Sequence, residues 1–342
     1  YISDYRHVII CCYLLSYIMA VMIPQPFARA FLILSIMQLL LKDSGLERKY
    51  TANIALAVFA AQNGAGMMVL TGDSSLNMMI LSQIPEAFRP SWGQWLFYMA
   101  VPALLTGACM CALQLFLFGQ PASFCLDRGK AKEELDKLKG LSAQEIRMMV
   151  WLLAAIGLWL TDTIHGIDIG WITIGMALPV IGDLIDGTQI KEVNLNTLLF
   201  LCASMAIGSV GTKTGMSSYL AGHLLPAHLG DSLAGLFLVT AAACILLHLL
   251  LGSIMAVFSL AVPALLTITT GVSPLAVGLL VYVLTVGQWF FPYQSLSLTI
   301  GLGEGGSGYS TGTASRFGLA YTIPSLMCGA AALIWWQLVG LL

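Results

Sequence analysis

A break near the N-terminus constrains this chain more than any other feature. The segment 23–29, with the sequence IPQPFAR, divides a long apolar run into two arms, 8–22 and 30–41. Each arm has at most about fifteen residues, or roughly 22 Å of helix, whereas a bilayer core is about 30 Å thick. Two half-length arms around a polar, proline-broken tip are typical of a re-entrant hairpin, whose tip must be buried in protein or line a wet cavity. One long helix kinked by its prolines is the alternative.

The overall composition is that of a polytopic membrane protein. Of the 342 residues, 58% are hydrophobic and 9% are charged, against about 25% charged in a typical soluble domain. The net charge of −2 gives no indication of nucleic-acid binding. The five histidines and eight cysteines are scattered without metal-ligand spacing, so neither a metal cofactor nor a disulfide framework is predicted. Because the chain begins at Tyr1 with an apolar run almost at once, we expect a fragment or a trimmed chain.

Two later apolar stretches are each interrupted by polar residues. The stretch 51–84 is broken by TGDSSLN at 71–77, and the stretch 272–300 is broken by PYQSLS at 292–297. Polar residues in the middle of predicted spans are typical of the discontinuous helices that form ion and substrate sites in secondary transporters. A helix end followed by a surface loop is the alternative at the first break.

One order of elements occurs twice along the chain. The first-repeat core, 1–118, is predicted to hold a hairpin at 8–41, a broken helix at 51–84 and a full helix at 93–118. The second-repeat core, 229–342, is predicted to hold a hairpin at 233–270, a broken helix at 272–300 and a full helix at 317–342. Between them lie an amphipathic arm of mixed charge at 119–147 and scaffold helices at 148–228.

The number of crossings between the two hairpins predicts their relative orientation. The predicted crossings are 51–84, 93–118, 148–161, 169–185 and 195–210. Because this number is odd, the hairpins enter the membrane from opposite faces, which is the inverted repeat of secondary transporters. The predicted fold class is therefore an all-α polytopic membrane protein with two re-entrant hairpins and two broken helices.

The basic residues predict the orientation in the membrane. If the arm 119–147 is cytoplasmic, most Lys and Arg residues fall in cytoplasmic loops, and only Arg89 and Lys213 fall in outside loops. The sequence therefore predicts a multi-pass protein of the cell inner or plasma membrane. Its first hairpin would enter from the cytoplasm and its second from outside.

The centre of the chain resembles the divalent-anion:sodium symporter family, which includes dicarboxylate, citrate and sulfate carriers. The matching residues are LSAQE at 141–145, LWLTD at 158–162, His165-Gly166, NTLLF at 196–200 and Thr214-Gly215. The resemblance implies a sodium-coupled symporter that works by an elevator mechanism, normally as a homodimer in the lipid bilayer. Its partners would be sodium ions and a small anionic substrate, without an organic cofactor. It also implies scaffold helices ahead of the first hairpin, so a partial chain or a reduced family member is expected.

The family motifs are only partly present in this chain. In the family each hairpin tip carries Ser-Asn-Thr; here QPF occupies 25–27 and SIM occupies 253–255, so only Ser253 matches. The first broken helix of the family carries Gly-Thr-Pro-Pro-Asn, of which Gly72 and Asn77 remain with one residue more between them. The second break lacks the Asn.

Several polar residues at the tips and breaks are candidate ligands. Sodium in transporters is held by unwound backbone carbonyls and short side chains that supply oxygen atoms. The candidate sodium ligands are Thr71, Gly72, Asp73, Ser74, Asn77, Ser253 and Ser297, and Thr299 is a further oxygen donor. The candidate substrate-binding residues are Gln25, Arg29, Asn77, Ser253, Gln294 and Ser295. Helix capping is the alternative for the Ser and Thr residues and for Gln25.

Arg29 is a basic residue that the sequence places inside the membrane core, directly after the first tip. An ionisable residue within a membrane is a functional candidate by default, and a guanidinium can hold a carboxylate or sulfate through two parallel hydrogen bonds. We therefore expect Arg29 to face the cavity between the tips and to attract the anion. The alternative is an Arg29 that reaches the membrane interface or pairs with Asp73.

The predicted function is secondary active transport, by sodium-coupled symport of a di- or tricarboxylate or of sulfate. A sodium/proton antiporter of the same broad superfamily, with Asp73 as proton carrier, is the alternative. A channel does not require two hairpins that enter the membrane from opposite faces, so the sequence favours a transporter over a channel. The GGSG pattern at 305–308 fits intramembrane serine proteases, but no histidine follows His248 to act as a base, so no enzyme is predicted.

Overall fold

The computed structural model describes residues 4–41, 44–121, 142–183, 232–269, 271–302 and 308–342, together with Phe124 and single residues between 199 and 223. Within these ranges the regular elements are helical, and the only β-type pairing is an isolated bridge between Leu302 and Tyr309. The predicted all-α class is confirmed.

Thirteen α-helices are numbered here in chain order over the described residues. They are α1 (Tyr5–Met22), α2 (Pro26–Leu41), α3 (Arg48–Met68), α4 (Ser74–Gln83), α5 (Trp92–Leu117), α6 (Ala143–Leu160), α7 (Asp162–His165), α8 (Ile169–Asp183), α9 (Leu233–Leu251), α10 (Ile254–Ile268), α11 (Pro274–Val286), α12 (Leu296–Ile300) and α13 (Thr311–Leu338). Two short 3₁₀ turns lie at Glu86–Phe88 and Pro292–Gln294.

Five helices in the described part of the chain are long and apolar enough to cross a membrane: α1, α5, α6, α9 and α13. The prediction that neither arm of the first hairpin is long enough to cross is wrong for α1. Asp4 caps that helix by accepting a hydrogen bond from the His7 amide at 3.0 Å, so α1 begins at Tyr5 and has 18 residues. Helices α2 and α10, with 16 and 15 residues, are shorter. The re-entrant depth of the hairpins stays a prediction.

Two further helices begin earlier than the sequence predicts, because polar residues cap them. Ser142 and Glu145 form a reciprocal capping box, so α6 begins at Ala143, inside the predicted arm. Ser310 accepts a hydrogen bond from the Thr313 amide at 3.2 Å and starts α13 six residues ahead of the predicted start at 317. Three predicted segments lie mostly outside the described residues: the arm 119–147, the crossing 195–210 and the glycine-rich segment 301–308.

The helices on the two sides of α6–α8 pack in the same way. In the first half, α1 and α2 contact each other and both contact α3. In the second half, α9 and α10 contact each other and both contact α11. The segments Asn53–Met67 of α3 and Leu275–Val286 of α11 are buried on all sides, as expected for apolar helices at the centre of a bundle. The inverted orientation of these two halves stays a prediction.

The segment after each break packs on the opposite half. Helix α4, after the first break, contacts α10 and α11, while α12, after the second break, contacts α3. A hydrogen bond of 2.5 Å from the Tyr282 hydroxyl to Oδ1 of Asn77 joins α11 to α4. Because each of these segments packs on the opposite half, the two breaks lie side by side and line a common cavity.

Candidate functional site

A cavity of about 330 Å³ lies where both hairpin tips meet both breaks. The first half lines it with Gln25, Pro26, Phe27, Asn63, Asp73, Ser75 and Leu76. The second half lines it with Gly252, Ser253, Ile254, Met255, Tyr282, Val286, Tyr293, Gln294, Ser295, Leu296, Ser297 and Thr299. The irregular backbone of the tips and breaks thus lines a cavity, which is where a membrane protein tolerates it.

Besides the short α12, three helices of the described residues begin at this cavity and line it with residues of their first turns. Helix α2 begins at Pro26, α4 at Ser74 and α10 at Ile254. The first N–H groups of a helix have no partner within the helix and carry a partial positive charge. Of the described residues that line the cavity, Asp73 alone bears a formal charge. The site therefore combines positive helix ends with one carboxylate.

Two of these helix starts are capped by side chains that also face the cavity. Asp73 Oδ1 accepts a hydrogen bond from the Leu76 amide at 3.2 Å, and Ser253 Oγ accepts one from the Ala256 amide at 3.4 Å. Each group keeps further oxygen lone pairs for another partner. Capping, the alternative reading of Ser253 from its sequence, is thus observed, and it is compatible with ligand binding.

Asn77 lies behind the first break and does not line the cavity. Its Nδ2 donates to the carbonyl oxygens of Gly66, Val69 and Leu70 at 3.0–3.1 Å, and its Oδ1 accepts from Tyr282. The side chain is fully buried. Its geometry closes the unwound turn between α3 and α4 by satisfying carbonyls that the helix end leaves free.

Three other candidates of the first break, Thr71, Gly72 and Ser74, also lie outside the cavity lining. Thr71 is buried, and its hydroxyl accepts a hydrogen bond from Nε1 of Trp92 at 3.3 Å. Ser74 donates to the Thr71 carbonyl at 3.4 Å. The Gly72 carbonyl accepts a hydrogen bond from Arg29. None of these three residues lines the cavity.

Arg29 does not face the cavity, so the expectation for its position is wrong. Its Nε donates to Gln62 Oε1 at 3.0 Å, and Nη1 donates to the carbonyls of Ile23, at 2.6 Å, and Gly72. The ion pairs of the described residues lie elsewhere, so the alternative pairing with Asp73 is not formed. The side chain is fully buried; its Nε and Nη1 reach three acceptors, whereas Nη2 has no hydrogen-bond partner among the described residues. Arg29 thus ties the first tip to the first break.

Gln294 ties the second tip to the second break in a comparable way. Its Nε2 donates to the His248 carbonyl at 2.9 Å, while its Oε1 accepts from the amides of Phe290, at 2.7 Å, and Phe291, at 2.9 Å. His248 Nε2 lies 3.0 Å from the Gln294 carbonyl and is the donor, because a carbonyl oxygen only accepts. Sequence reasoning missed His248, which lies on an otherwise apolar helix.

Ser295 makes a contact that the sequence did not predict, with Asn63 of α3. Its hydroxyl donates to Asn63 Oδ1 at 3.5 Å, and both residues line the cavity. The only sequence signal for Asn63 is the polar pair Gln62-Asn63 within an apolar helix. Ser297 and Thr299 also line the cavity, and Thr299 donates to the Pro292 carbonyl at 2.8 Å.

The structure thus divides the candidate residues into two groups. Those that line the common cavity are Gln25, Asp73, Ser253, Gln294, Ser295, Ser297 and Thr299. Those that lie outside its lining are Arg29, Thr71, Gly72, Ser74 and Asn77. The second group holds the tip and the break of the first half in place.

Comparison with known proteins agrees with the resemblance found in the sequence. A family model described as the sodium:sulfate symporter transmembrane region matches residues 6–342. No curated protein gives a significant match. Because the family match covers almost the whole chain, the predicted membership is confirmed: the chain belongs to the sodium:sulfate symporter family, an anion permease family of the divalent-anion:sodium symporters.

Proposed function

We propose that this chain carries out sodium-coupled symport of a divalent anion, either a di- or tricarboxylate or sulfate, through the cavity between the tips. Membership of the family supports sodium-coupled anion transport as the class of activity, and this is a family of transporters and not of enzymes. The observation that carries the proposal is the convergence of the starts of α2, α4 and α10 on one cavity. Helix starts favour anions through free N–H groups and the helix dipole.

The charge balance of the cavity supports coupling to a cation. The described lining residues include no Lys, Arg or His to neutralise a divalent anion, and they include the carboxylate of Asp73. The buried guanidinium of Arg29 interacts electrostatically with this carboxylate from behind the first break, so the charge left without compensation is that of the anion, and a buried uncompensated charge is strongly unfavourable. Sodium ions held beside Asp73 and the hydroxyls of Ser253 and Ser297 would balance this anion. Sodium and the anion would then each raise the affinity for the other by the same factor.

The size of the cavity is compatible with either class of anion. Its volume of about 330 Å³ is roughly eleven times the volume that a water molecule occupies in the liquid. An anion of several non-hydrogen atoms therefore fits together with its coupling ions.

The resemblance to the family also supports an elevator mechanism and a homodimer. In this proposal the hairpins and broken helices move as one transport domain past scaffold helices that include α6 and α8. Large apolar side chains of those two helices, such as Leu153, Trp171 and Leu178, are more than half exposed within the single chain. Lipid or a second copy of the chain would cover them, as expected for exposed apolar surface in a membrane protein.

The sodium/proton antiporter is the second candidate, because Asp73 lies at the cavity and could carry a proton. The family match does not favour it. Transport by the two candidates differs in one measurable respect, because a symporter moves an anion and the antiporter does not.

The proposal is tested by thermal unfolding of the purified protein with sulfate, succinate or citrate, in sodium chloride and in choline chloride. A ligand that binds only the folded state raises its stability by about 2.7 kcal/mol at one hundred times its dissociation constant. We expect at least one anion to raise the melting temperature in sodium but not in choline. Uptake of that anion into proteoliposomes should then follow an inward sodium gradient. If no anion stabilises the protein in sodium, while sodium gradients move protons, the antiporter is correct.

A further inference from the structure

Asn63 lies in the part of α3 that is enclosed by protein, and its side chain is 7% exposed. It lines the cavity from the first half, whereas its hydrogen-bonding partner Ser295 comes from the second break. The amide of Asn63 therefore connects the first half of the protein to the second half at the cavity. Nothing in the family motifs or in the sequence pattern assigns a role to this residue.

The amide of Asn63 has one polar atom bonded and one free. Oδ1 accepts from Ser295 at 3.5 Å, whereas Nδ2 has no hydrogen-bond partner among the described residues. The preceding residue, Gln62, differs: its Nε2 donates to Ser16 at 3.0 Å and to the Val58 carbonyl at 2.8 Å, and its Oε1 accepts from Arg29. Of these two adjacent amides, Gln62 belongs to a structural hydrogen-bond network, whereas Asn63 lines the cavity.

A buried amide donor without a partner is unfavourable unless a ligand completes it. The other buried amide of the cavity lining, Gln294, is bonded at both ends and has no such donor to offer. Since Oδ1 already accepts from Ser295 and Nδ2 has no partner among the described residues, the unsatisfied group at Asn63 is a donor. A donor matches the oxygen atoms of a carboxylate or sulfate and does not match a sodium ion.

We infer that Asn63 binds the transported anion, with Nδ2 donating a hydrogen bond to an oxygen atom of that anion. Ser295 holds the amide in this orientation and is a positioning residue. This inference rests on the proposed function, since it assumes that the cavity takes an oxyanion. It adds a specificity element, because a site built around a buried donor rejects analogues that lack the matching acceptor.

The test measures anion affinity by titration calorimetry in saturating sodium, using sulfate and succinate as probes. The variants are Asn63→Ala, which removes the donor, and Asn63→Asp, which keeps the shape but replaces the donor by a negative acceptor. Asn53→Ala is the matched control, because Asn53 is a buried amide of the same helix that bonds Tyr5 and Gln114 away from the cavity. Thermal stabilisation by sodium alone is recorded for every variant.

We expect Asn63→Ala to bind the anion roughly 10- to 100-fold more weakly, as for a lost hydrogen bond to a charged group. Asn63→Asp should bind it more weakly still, because its carboxylate repels the anion. Both variants should keep the stabilisation by sodium alone, and Asn53→Ala should keep the parent affinity even if its melting temperature falls.

Three results would overturn the assignment of Asn63. The first is anion affinity of Asn63→Ala or Asn63→Asp within about twofold of the parent, a change below roughly 0.4 kcal/mol. The second is loss of sodium stabilisation in Asn63→Ala without anion, which would show that the amide serves the cation. The third is failure of both variants to fold, which would show a structural amide. A parent protein that binds neither probe would instead overturn the proposed function itself.

Discussion

The hydroxyl of Tyr282 on α11 donates a hydrogen bond of 2.5 Å to Oδ1 of Asn77 on α4, and both side chains are fully buried. Asn77 in turn holds three carbonyls of the first break through its Nδ2. One hydrogen bond therefore connects the second half of the protein to the turn that shapes the cavity in the first half. Because both groups are buried, the bond contributes to stability as well as to position.

The first prediction concerns this bond. Tyr282→Phe should lower the free energy of unfolding by about 1–3 kcal/mol, because it leaves a buried oxygen of Asn77 without a donor. The measurement is denaturant unfolding of the purified protein followed by fluorescence. Tyr98→Phe, at a half-buried tyrosine, is the control and should change the stability by less than about 0.5 kcal/mol. Equal stability of the two variants would show that the bond between the halves is not significant.

The second prediction concerns Arg29 as a structural residue. Arg29→Ala should lower the free energy of unfolding by at least about 2 kcal/mol, because it leaves Gln62 and the carbonyls of Ile23 and Gly72 unsatisfied. Arg29→Lys should not restore stability, since an ammonium group lacks the planar fork that reaches three acceptors. Both variants are compared with the parent in the same unfolding experiment.

A surface arginine supplies the control for this prediction. Arg89 donates to the Ile84 carbonyl from an exposed position, so Arg89→Ala should have little effect on stability. If Arg29→Ala keeps the parent stability but loses all stabilisation by anions, Arg29 acts on the substrate after all, and the position seen here is not the one that matters for binding.

The third prediction concerns Asp73 as a sodium ligand. Asp73→Asn should abolish or strongly reduce the stabilisation by sodium without unfolding the protein, because Asn caps a helix as well as Asp does. The measurement is the melting temperature as a function of sodium concentration at constant ionic strength. Asp4→Asn, at the cap of α1 outside the cavity, is the matched control and should respond to sodium like the parent. If the melting temperature of Asp73→Asn depends on sodium as that of the parent does, this carboxylate is not a sodium ligand.

The fourth prediction concerns topology. A cysteine introduced by Glu134→Cys, in the arm 119–147, should resist a membrane-impermeant thiol reagent applied to sealed cells and should react once the cells are opened. The reason is the excess of Lys and Arg that the positive-inside rule assigns to the cytoplasmic loops. The parent chain, labelled in parallel, corrects for its native cysteines. Labelling of Glu134→Cys in sealed cells would reverse the predicted orientation.

The sequence alone determined the membrane class, the two tips and the two breaks. These features are local, because a run of apolar residues, a pair of prolines or a polar interruption is visible without knowledge of neighbours. The start of α6 was placed too late, because the capping box of Ser142 and Glu145 lies within a charged segment that looks like part of a surface arm. Capping depends on a few specific hydrogen bonds, which average composition does not register.

Only the tertiary structure decided which polar side chains reach the cavity. Arg29 is the more conspicuous residue in the sequence, yet it turns toward Gln62 and two carbonyls, whereas Asn63 lines the cavity. Successive residues of a helix point about 100° apart, so Gln62 and Asn63 face different surroundings that are built by other parts of the chain. The partner of Asn63 is Ser295, 232 residues further on, and no local pattern specifies a contact of that kind. It arises because the segment after each break packs on the opposite half.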